Sequence, residues 1–349
     1  RYMFALGEPN LPMKFRLPRI GLMLGDVTGI GPEIAAKLLA SGKTNSCAQV
    51  IIIGDCRVLE LGMQNAGVTF AYTVYRTIDE VHFPCEDFPL IDLGNVDPSR
   101  YPQGVSSDES GKYCGETLKF MIDLALAGKL DGICFAPLNK GAMNRGGWAF
   151  NDEHQMFAKL TNHKGFFGEM SVIERFSTFR VTSHVALGEA VKMITPERVC
   201  SAIYLADDSL RNAGCIRPRI GVAALNPHNG ENGLFGDEEI RVIRPAVERL
   251  QADGINCEGP IPSGAIFQKA SKGEFDGVVI MYHDQGQVAT KLLGSNKGVT
   301  VTAGLKTVFV TPAHGTAYDI SGMGRASSGA MEHAFMLAAK LAAGRLVEK

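Results

Sequence analysis

The sequence predicts an α/β protein in which parallel strands are connected by helices. Short runs rich in β-branched residues alternate with segments of helical periodicity, as is typical of strand–helix–strand units. The chain has 349 residues, of which 45% are hydrophobic, so it is long enough to bury the cores of two domains. Polar residues cluster where predicted strands end, which is where ligands bind in open parallel sheets.

Six strands are predicted in chain order, at residues 20–24, 50–53, 132–136, 180–183, 220–225 and 277–282. Between the fourth and the fifth, Thr195 is a good helix N-cap, Pro196 suits the first helical position and Glu197 is a first-turn acid. A helix is therefore predicted to begin there and to end near Gly214. No internal repeat or low-complexity tract interrupts the pattern.

Charge and composition exclude several kinds of partner. The formal net charge is -2 with both signs interspersed, so nucleic acid and anionic membranes are not expected partners. The eight cysteines have no C-x-x-C spacing, which indicates reduced thiols in a cytoplasmic protein. Apolar runs are strand-sized, and residues 1–14 lack the hydrophobic core of a signal peptide, so no membrane segment or secretion signal is predicted.

Three histidines follow predicted strands and predict a metal site. His184, His228 and His283 come just after the fourth, fifth and sixth predicted strands. Three imidazoles can bind a divalent ion and leave coordination positions open for substrate oxygens. Asp284 would act as a further ligand or orient the His283 ring. The alternative is that each histidine only satisfies local hydrogen bonds at a strand end, because the wide spacing is not specific for metal.

Three glycine-rich segments are candidate ligand loops. Residues 25–33 follow a strand and open a helix, so their backbone N–H groups either face an anion or form a tight turn. This segment matches neither G-x-G-x-x-G nor a P-loop, so it does not predict nucleotide binding. Residues 226–233 and 314–324 are long, polar and rich in glycine, as binding loops often are.

Taken together, residues 25–33, 136–140, 226–236, 281–286 and 314–324 resemble the 4-hydroxythreonine-4-phosphate dehydrogenase family in order and spacing. The resemblance runs from about residue 18 to the C-terminus, and two of the segments also resemble isocitrate and isopropylmalate dehydrogenases. It implies a homodimer in which each chain has two α/β/α domains around a cleft. The implied domains are residues 15–140 with 300–349, and residues 141–299, which carry the three histidines.

The resemblance also implies cofactors and roles for particular residues. It implies NAD, with NADP as an alternative, and a divalent ion that would be Zn, Co, Ni, Mn or Mg. His184 and His228 of one chain and His283 of the other would share this ion, and oxidation of a hydroxyl would be followed by loss of CO2. The implied catalytic groups are Lys291, Lys140 and Asp284, although either lysine is alternatively a solvated surface charge. The implied cofactor contacts are Asn226, Asn229, Gly230, Glu231, Gly233, His314 and Asp319.

The predicted substrate-binding residues depart from the family pattern. Glu153 and His154 stand where the family has a His-Thr pair, Thr300 replaces an asparagine, and Phe309 replaces an arginine. Lys291 is also expected to contact substrate. Loss of an arginine removes a bidentate anion partner, which favours a non-phosphorylated hydroxy-carboxylate or a cis-dihydrodiol carboxylate, as in the branch that resembles terephthalate dihydrodiol dehydrogenase. The alternative substrate is 4-hydroxythreonine 4-phosphate, in pyridoxal phosphate biosynthesis.

Two other functional classes remain open at the level of sequence. Three histidines with open coordination positions would also suit a metal-dependent lyase or aldolase, because a metal ion stabilises an enolate equally well. A metal-binding module without catalysis is the third interpretation. Of the three, only the dehydrogenase would form NADH, so an NADH assay distinguishes it from the lyase or aldolase and from the binding module.

Overall fold

The computed structural model describes residues 16–294 and 297–347, so residues 1–15, including the start of the predicted first domain, lie outside the described chain. The described strands are β1 (Arg19–Met23), β2 (Gln49–Gly54), β3 (Tyr72–Tyr75), β4 (Phe88–Asp92), β5 (Gly132–Phe135), β6 (Gly168–Val172), β7 (Ser177–Arg180), β8 (Ile220–Ala223), β9 (Cys257–Ile261), β10 (Gly277–Ile280), β11 (Val299–Ala303) and β12 (Val308–Pro312). The α-helices are α1 (Gly31–Ala40), α2 (Cys56–Ala66), α3 (Asp108–Leu126), α4 (Lys140–Arg145), α5 (Glu153–Leu160), α6 (Leu187–Met193), α7 (Pro196–Asn212), α8 (Arg244–Ala252), α9 (Ser263–Ser271), α10 (His283–Leu293) and α11 (Gly329–Val347).

The chain divides into two compact units. Of the described residues, the first unit comprises 16–163 and 305–347, and the second comprises 164–294 and 297–304. The sequence-based boundary at 140/141 therefore lies at 163/164 in the structure. The reason is that α4 and α5 pack against α3, a helix of the first unit. Glu153 and His154 consequently belong to the first unit and not to the one that carries the three histidines.

The first unit contains a wholly parallel sheet. Its strand order is β3-β4-β2-β1-β5-β12, as expected for strands connected by helices. Local sequence explains where its helices begin. Pro32 occupies the first turn of α1, and the Ser107 side chain accepts a hydrogen bond from the Ser110 N–H at the start of α3.

The second unit contains a mixed sheet in the order β11-β6-β7-β10-β8-β9. Strands β7, β10, β8 and β9 run parallel, whereas β6 pairs antiparallel with both β7 and β11. Strand β6, which the sequence did not predict, departs from the parallel pairing expected for strands connected by helices. A connection of only residues 173–176 joins β6 to β7, and so short a link permits only an antiparallel pair.

All six predicted strands are present, and the fourth is displaced. The structure places it at Ser177–Arg180 instead of residues 180–183, so residues 181–183 form the connection that leads to His184. The predicted helix after Thr195 is confirmed as α7, whose first turn is capped by the Thr195 side chain. In the part of the chain that the structure describes, no helix is long and apolar enough to cross a membrane.

The eight cysteines are all free, and most of them are buried. Burial raises the pKa of the Cys47 thiol to about 11, which keeps it protonated and unreactive at neutral pH. These thiols therefore act as small apolar side chains in the structure, as the sequence indicated.

Candidate active site

The three predicted metal ligands lie at one edge of the second unit's sheet. Strands β7, β10 and β8 are neighbours in parallel register, so their carboxyl ends point the same way. His184 lies four residues after β7, His228 follows β8 in a turn, and His283 is the first residue of α10. The three histidines thus follow the carboxyl ends of three neighbouring parallel strands, at one edge of this sheet.

His184 and His283 form a close pair within one chain. Their ring centroids are 5.3 Å apart, and the ring planes are inclined by 42°. The Nδ1 atom of His283 lies 2.7 Å from Oδ1 of Asp284. Because a carboxylate only accepts hydrogen bonds, this contact favours the tautomer that carries the proton on Nδ1. Nε2 of His283 is then left with its lone pair, which is the form that binds a metal ion.

His228 lies outside the His184–His283 pair. Its ring lies beside that of Phe235, with centroids 6.2 Å apart. Among the described residues, three ligand-type side chains with atoms within 4.8 Å of one another occur at Asp55, Cys56 and Asp92, and not at the three histidines. A single chain in this conformation therefore presents two of the three predicted ligands together.

The turn that carries His228 has an unusual backbone. His228, Asn229, Glu231 and Asn232 have positive φ values of 54°, 61°, 42° and 56°. Each non-glycine residue in the left-handed region costs about 1 kcal/mol, with asparagine tolerated best. Such a turn persists only if surrounding contacts hold it in place.

Glu239 supplies the contacts that hold this turn. Its carboxylate is 1% exposed and accepts hydrogen bonds from the N–H groups of Leu225 and Asn226, at 2.8 and 2.6 Å. The Asn226 side-chain nitrogen donates to Glu238 and Glu239 at 2.6 and 3.0 Å. The Asn226 side-chain nitrogen is thus engaged within the turn, and the predicted cofactor contact of this residue stays a prediction. Glu239 itself gave no signal in the sequence, because nothing there shows that its side chain turns inward.

The remaining predicted cofactor residues are divided between the two units. In the second unit, Oδ1 of Asn229 is buried and has no hydrogen-bond partner among the described residues, and Gly230 is buried beside it. Glu231 and Gly233 are exposed. In the first unit, His314 and Asp319 are both exposed. An unpartnered acceptor such as Asn229 Oδ1 can receive a hydrogen bond from a ligand hydroxyl.

In the first unit, three of the segments singled out in the sequence form one hydrogen-bonded network. The Tyr318 hydroxyl donates to Oδ2 of Asp26 at 2.7 Å, and the Asn139 amide donates to the Tyr318 oxygen at 2.9 Å. Asp26 is buried and also accepts hydrogen bonds from Thr28 and Ser110. Burial, followed by the hydrogen bond to Asp26, raises the pKa of Tyr318 above its usual value.

The glycine-rich segment at residues 25–33 is a tight turn and not an open anion site. The N–H groups of Thr28 and Gly29 bond to Asp26, and that of Ile30 donates to the carbonyl of Thr316 at 3.0 Å. A Cβ atom on Gly29 would lie 2.9 Å from the Thr316 carbonyl oxygen. Glycine is therefore required because two backbone segments meet here, which leaves those N–H groups no room for an anion.

Lys140 and Glu153, two predicted site residues, form an ion pair in the first unit. Lys140 Nζ lies 2.8 Å from Glu153 Oε2, and their side chains are 50% and 10% exposed. His154 follows on α5 and is buried. In the second unit, Lys291 is exposed on α10, and Thr300 is half-buried on β11 opposite Ser171. The lysines are accessible to a ligand, whereas His154 is not.

The prediction that Phe309 contacts substrate is wrong. Phe309 lies on β12 with no exposed surface, and its ring stacks on that of Phe157 with centroids 4.1 Å apart and planes inclined by 10°. The Phe157 ring in turn meets Phe135 edge-on at 5.6 Å. The aromatic side chain at position 309 fills the core of the first unit.

Replacing Phe309 by alanine should lower the free energy of unfolding by about 3–5 kcal/mol, because it removes a fully buried aromatic ring and leaves a cavity. Urea unfolding followed by circular dichroism measures this change. Val74→Ala, on an exposed position of β3, is the control and should change the free energy of unfolding by less than about 1 kcal/mol. A Phe309→Ala protein of unchanged stability but altered KM would restore the substrate-contact interpretation.

Two buried side chains, those of Gln285 and Arg180, lie at the ends of the strands that lead to the histidines. The buried Gln285 accepts a hydrogen bond from the Met281 N–H at 2.6 Å, and its side-chain nitrogen donates to the Ala224 carbonyl at 2.6 Å. It thus connects the end of β10 to the end of β8. Arg180, at the end of β7, is also buried. A charged residue within the predicted fourth strand was a signal in the sequence that pointed to it.

Comparison with known proteins identifies the family. The family model described as pyridoxal phosphate biosynthetic protein PdxA matches residues 45–338, which is most of the chain. The chain belongs to the PdxA family. A D-threonate 4-phosphate dehydrogenase from Cupriavidus necator is 39% identical over 331 residues, which cover 94% of this chain and 98% of the relative. The resemblance seen in the sequence motifs is therefore confirmed at the level of the PdxA family.

Solved structures agree with this PdxA assignment. A 4-hydroxythreonine-4-phosphate dehydrogenase from Burkholderia phymatum is 38% identical, with a TM-score of 0.78 and coverage of 94% of this chain and 99% of that chain. A terephthalate 1,2-cis-dihydrodiol dehydrogenase from Burkholderia xenovorans is 22% identical, with a TM-score of 0.63 over 90% of this chain and 96% of that chain. At that identity, the second structure shows a shared fold and no more.

Proposed function

We propose that this chain is an NAD-dependent, divalent-metal-dependent dehydrogenase that oxidises a hydroxyl group of a small phosphorylated hydroxy acid. Its substrate would be of the type named for its relatives, 4-hydroxythreonine 4-phosphate or D-threonate 4-phosphate. The observation that carries the proposal is the His184–His283 pair, with Asp284 orienting His283, at the sheet edge of a PdxA-family chain. Loss of CO2 from the oxidised product belongs to the same proposal.

The residues present fit a divalent ion. Imidazole nitrogen suits Zn, Co, Ni and Mn, and the Asp284 contact leaves one nitrogen of His283 available as a ligand. His184 and His283 would hold the ion, and His228 would complete the set. When bound, the ion would polarise substrate oxygens and NAD would accept the hydride.

The surrounding side chains would bind and orient the substrate. Lys291 follows His283 on α10 at an interval of eight residues, and its exposed ammonium group can bind an anionic substrate group or deliver a proton from Nζ. Asn229 would hold the cofactor, because its buried Oδ1 can accept a hydrogen bond from a ribose hydroxyl. Asp319, an exposed acceptor in the first unit, is the second candidate for that contact.

The phosphorylated substrate replaces the dihydrodiol carboxylate as the preferred hypothesis. One of the departures that favoured a dihydrodiol was Phe309 in place of a family arginine, and that side chain is buried in the core instead of lining a site. Relatives that are 38% and 39% identical over 94% of this chain are named for phosphorylated substrates. Lys140 adds an accessible cation in the first unit, although Glu153 partly neutralises it.

We also propose that the functional form is a homodimer that shares its metal site. Among the described residues, one chain does not bring all three histidines together, which supports a site completed by a second chain, as the family resemblance implies. The second unit exposes large apolar side chains on α10 and in the loop after His228, as a chain does where another copy covers it. These side chains are Leu234, Phe235, Val288, Leu292 and Leu293.

The substrate hypothesis is tested by NADH formation, followed at 340 nm, with D-threonate 4-phosphate and 4-hydroxythreonine 4-phosphate. Threonate without phosphate is the matched control, and terephthalate dihydrodiol is the competing substrate. We expect turnover of a phosphorylated compound that chelator abolishes and added Zn, Co or Mn restores. Turnover of the dihydrodiol alone would overturn the substrate hypothesis. Product formation without NADH would instead indicate a lyase, and metal binding without any turnover would indicate a binding module.

A further inference from the structure

A loop of the first unit, residues 314–324, is fastened to the rest of the unit by a tyrosine. Tyr318 is half-buried, and its hydroxyl donates a hydrogen bond to Oδ2 of Asp26 at 2.7 Å. The same hydroxyl oxygen accepts a hydrogen bond from the Asn139 side-chain nitrogen at 2.9 Å. One phenol thus joins the loop to the turn after β1 and to the residue that caps α4.

Asp26 is a fixed acceptor for this hydrogen bond. The residue is 1% exposed, and its other oxygen, Oδ1, accepts hydrogen bonds from the N–H and the hydroxyl of Thr28, at 2.9 and 2.8 Å. It also accepts a hydrogen bond from the Ser110 hydroxyl. Thr28 and Ser110 have no exposed surface. Because a hydrogen bond to a carboxylate is a strong one, the Tyr318 hydroxyl is held by a group that the core keeps in place.

The backbone of the loop is strained next to this tyrosine. Ala317 has a φ of 43° and a ψ of 58°, in the left-handed region that an alanine side chain disfavours. On the other side of Ala317, the Thr316 carbonyl accepts a hydrogen bond from the Ile30 N–H at 3.0 Å. A strained alanine persists only where contacts on both sides impose it, and such residues are common in segments that bind ligands.

Two exposed polar residues flank the strained segment. His314 and Asp319 are exposed, whereas Thr316 between them is buried. These two exposed residues are the cofactor contacts that the family resemblance implies for this loop. Their placement relative to each other depends on the backbone at Ala317 and Tyr318, because both of these residues lie between His314 and Asp319 or next to them.

The second half of the loop has anchors of its own. The Ser321 hydroxyl donates to the Thr28 carbonyl at 2.9 Å. Beyond it, the Lys37 ammonium group on α1 donates to the carbonyls of Gly324 and Ala326, at 3.0 and 2.7 Å. Loss of the tyrosine hydroxyl would therefore loosen the first half of the loop while its end stays attached to the unit.

We propose that Tyr318 is a positioning residue that, through Asp26 and Asn139, holds the 314–324 loop in the conformation that binds NAD. This inference rests on the proposed NAD dependence. The Tyr318 hydroxyl does not donate to the cofactor itself, since its one proton is given to Asp26. A loop that adopts the binding conformation only part of the time has a Kd raised by the inverse of that fraction. Tyr318 therefore sets the affinity for NAD and takes no part in the chemical step.

The test uses Tyr318→Phe, which keeps the ring and removes the hydroxyl. NAD is titrated into the protein in a calorimeter, and the KM for NAD is taken from NADH formation. We expect the Kd and the KM for NAD to rise by about 10-fold, as for a loop that is competent about a tenth of the time, while kcat at saturating NAD stays within about twofold. Tyr72→Phe is the matched control and should behave as wild type, since it removes an exposed hydroxyl that donates to Glu60 at 2.9 Å in the same unit.

Hydrogen exchange followed by mass spectrometry provides a second measurement, which does not depend on activity. In wild-type protein, NAD should slow the exchange of the amides of residues 314–324. Without NAD, Tyr318→Phe should exchange these amides faster than wild type, because the loop opens more often. A peptide that covers α2 should exchange equally in both proteins. Unchanged exchange of the loop in the variant would show that the hydroxyl does not hold it and would overturn the inference.

The outcomes separate this inference from the proposed function. If wild-type protein forms NADH and Tyr318→Phe has the same Kd and KM for NAD, the positioning role is wrong while the proposed function stands. If wild-type protein neither binds NAD nor forms NADH, both are wrong. A fall in kcat that accompanies a lowered thermal midpoint, with the KM for NAD unchanged, would show a general loss of folded protein and would also overturn the positioning role.

Discussion

Replacing His184 or His283 by alanine is expected to lower kcat/KM by about 1,000-fold or more and to abolish tight Co2+ binding. Each histidine would supply one of the nitrogen ligands, and the bound ion is expected to contribute several kcal/mol of transition-state stabilisation, where each 1.4 kcal/mol corresponds to tenfold in rate. NADH formation under saturating metal measures the rate, and titration with Co2+ measures the binding. Asp284→Asn should give a smaller effect, about 10- to 100-fold in metal affinity, because that carboxylate only orients His283.

A histidine of the first unit provides the control. His82 is exposed in the first unit, and His82→Ala should leave both activity and Co2+ affinity unchanged. The thermal midpoints of the His184 and His283 variants should stay close to that of wild type, since neither ring belongs to a core. Retention of full activity by either variant would refute the metal site, whatever the behaviour of the other residues.

Mixed dimers are expected to regain activity when an inactive His228→Ala chain is combined with an inactive His283→Ala chain. His228 and His283 would come from different chains in the arrangement that the family resemblance implies, where His283 crosses. The same holds if His184 and His283 of one chain act together and His228 crosses. In such a mixture, half of the dimers are hybrids, and one of the two sites in each hybrid has all three ligands. Activity should therefore return to about one quarter of the wild-type value. Co-expression with two affinity tags, followed by NADH assay, provides the measurement.

The mixture of His184→Ala with His283→Ala decides which histidine crosses between chains. If these two ligands come from the same chain, neither site of the hybrid is complete and activity should stay absent. The arrangement implied by the family resemblance, with His283 crossing, predicts the reverse, because one site would then regain all three histidines. If no mixture of variants regained activity, the site would lie within one chain and the shared-site proposal would fail.

Local sequence signals were sufficient for the elements that carry the site. The six predicted strands and the helix capped by Thr195 are present because short-range features, such as β-branched runs and capping residues, act within a few residues of one another. The placement of the three histidines on one edge followed from the same pattern. Strand ends that run parallel must point the same way, whatever the details of packing.

The failures of prediction have a common origin in contacts between distant residues. Phe309 was predicted to contact substrate because the family has an arginine at this position. The Phe157 ring that covers it is far away in the chain, so nothing in the sequence indicated that Phe309 is buried. The observed domain boundary differs from the predicted one because α4 and α5 pack against α3. Sequence spacing contains no information on these pairings.

By itself, the sequence determined the α/β class, the PdxA family and the three histidines at strand ends. Strand and turn preferences are local, and the motifs that mark the family are short. Only the tertiary structure decided that His184 and His283 are neighbours in one chain, and that His228 stands apart in a left-handed turn. These facts depend on the packing of α10 against β7, which brings together side chains about 100 residues apart and is specified by the whole second unit.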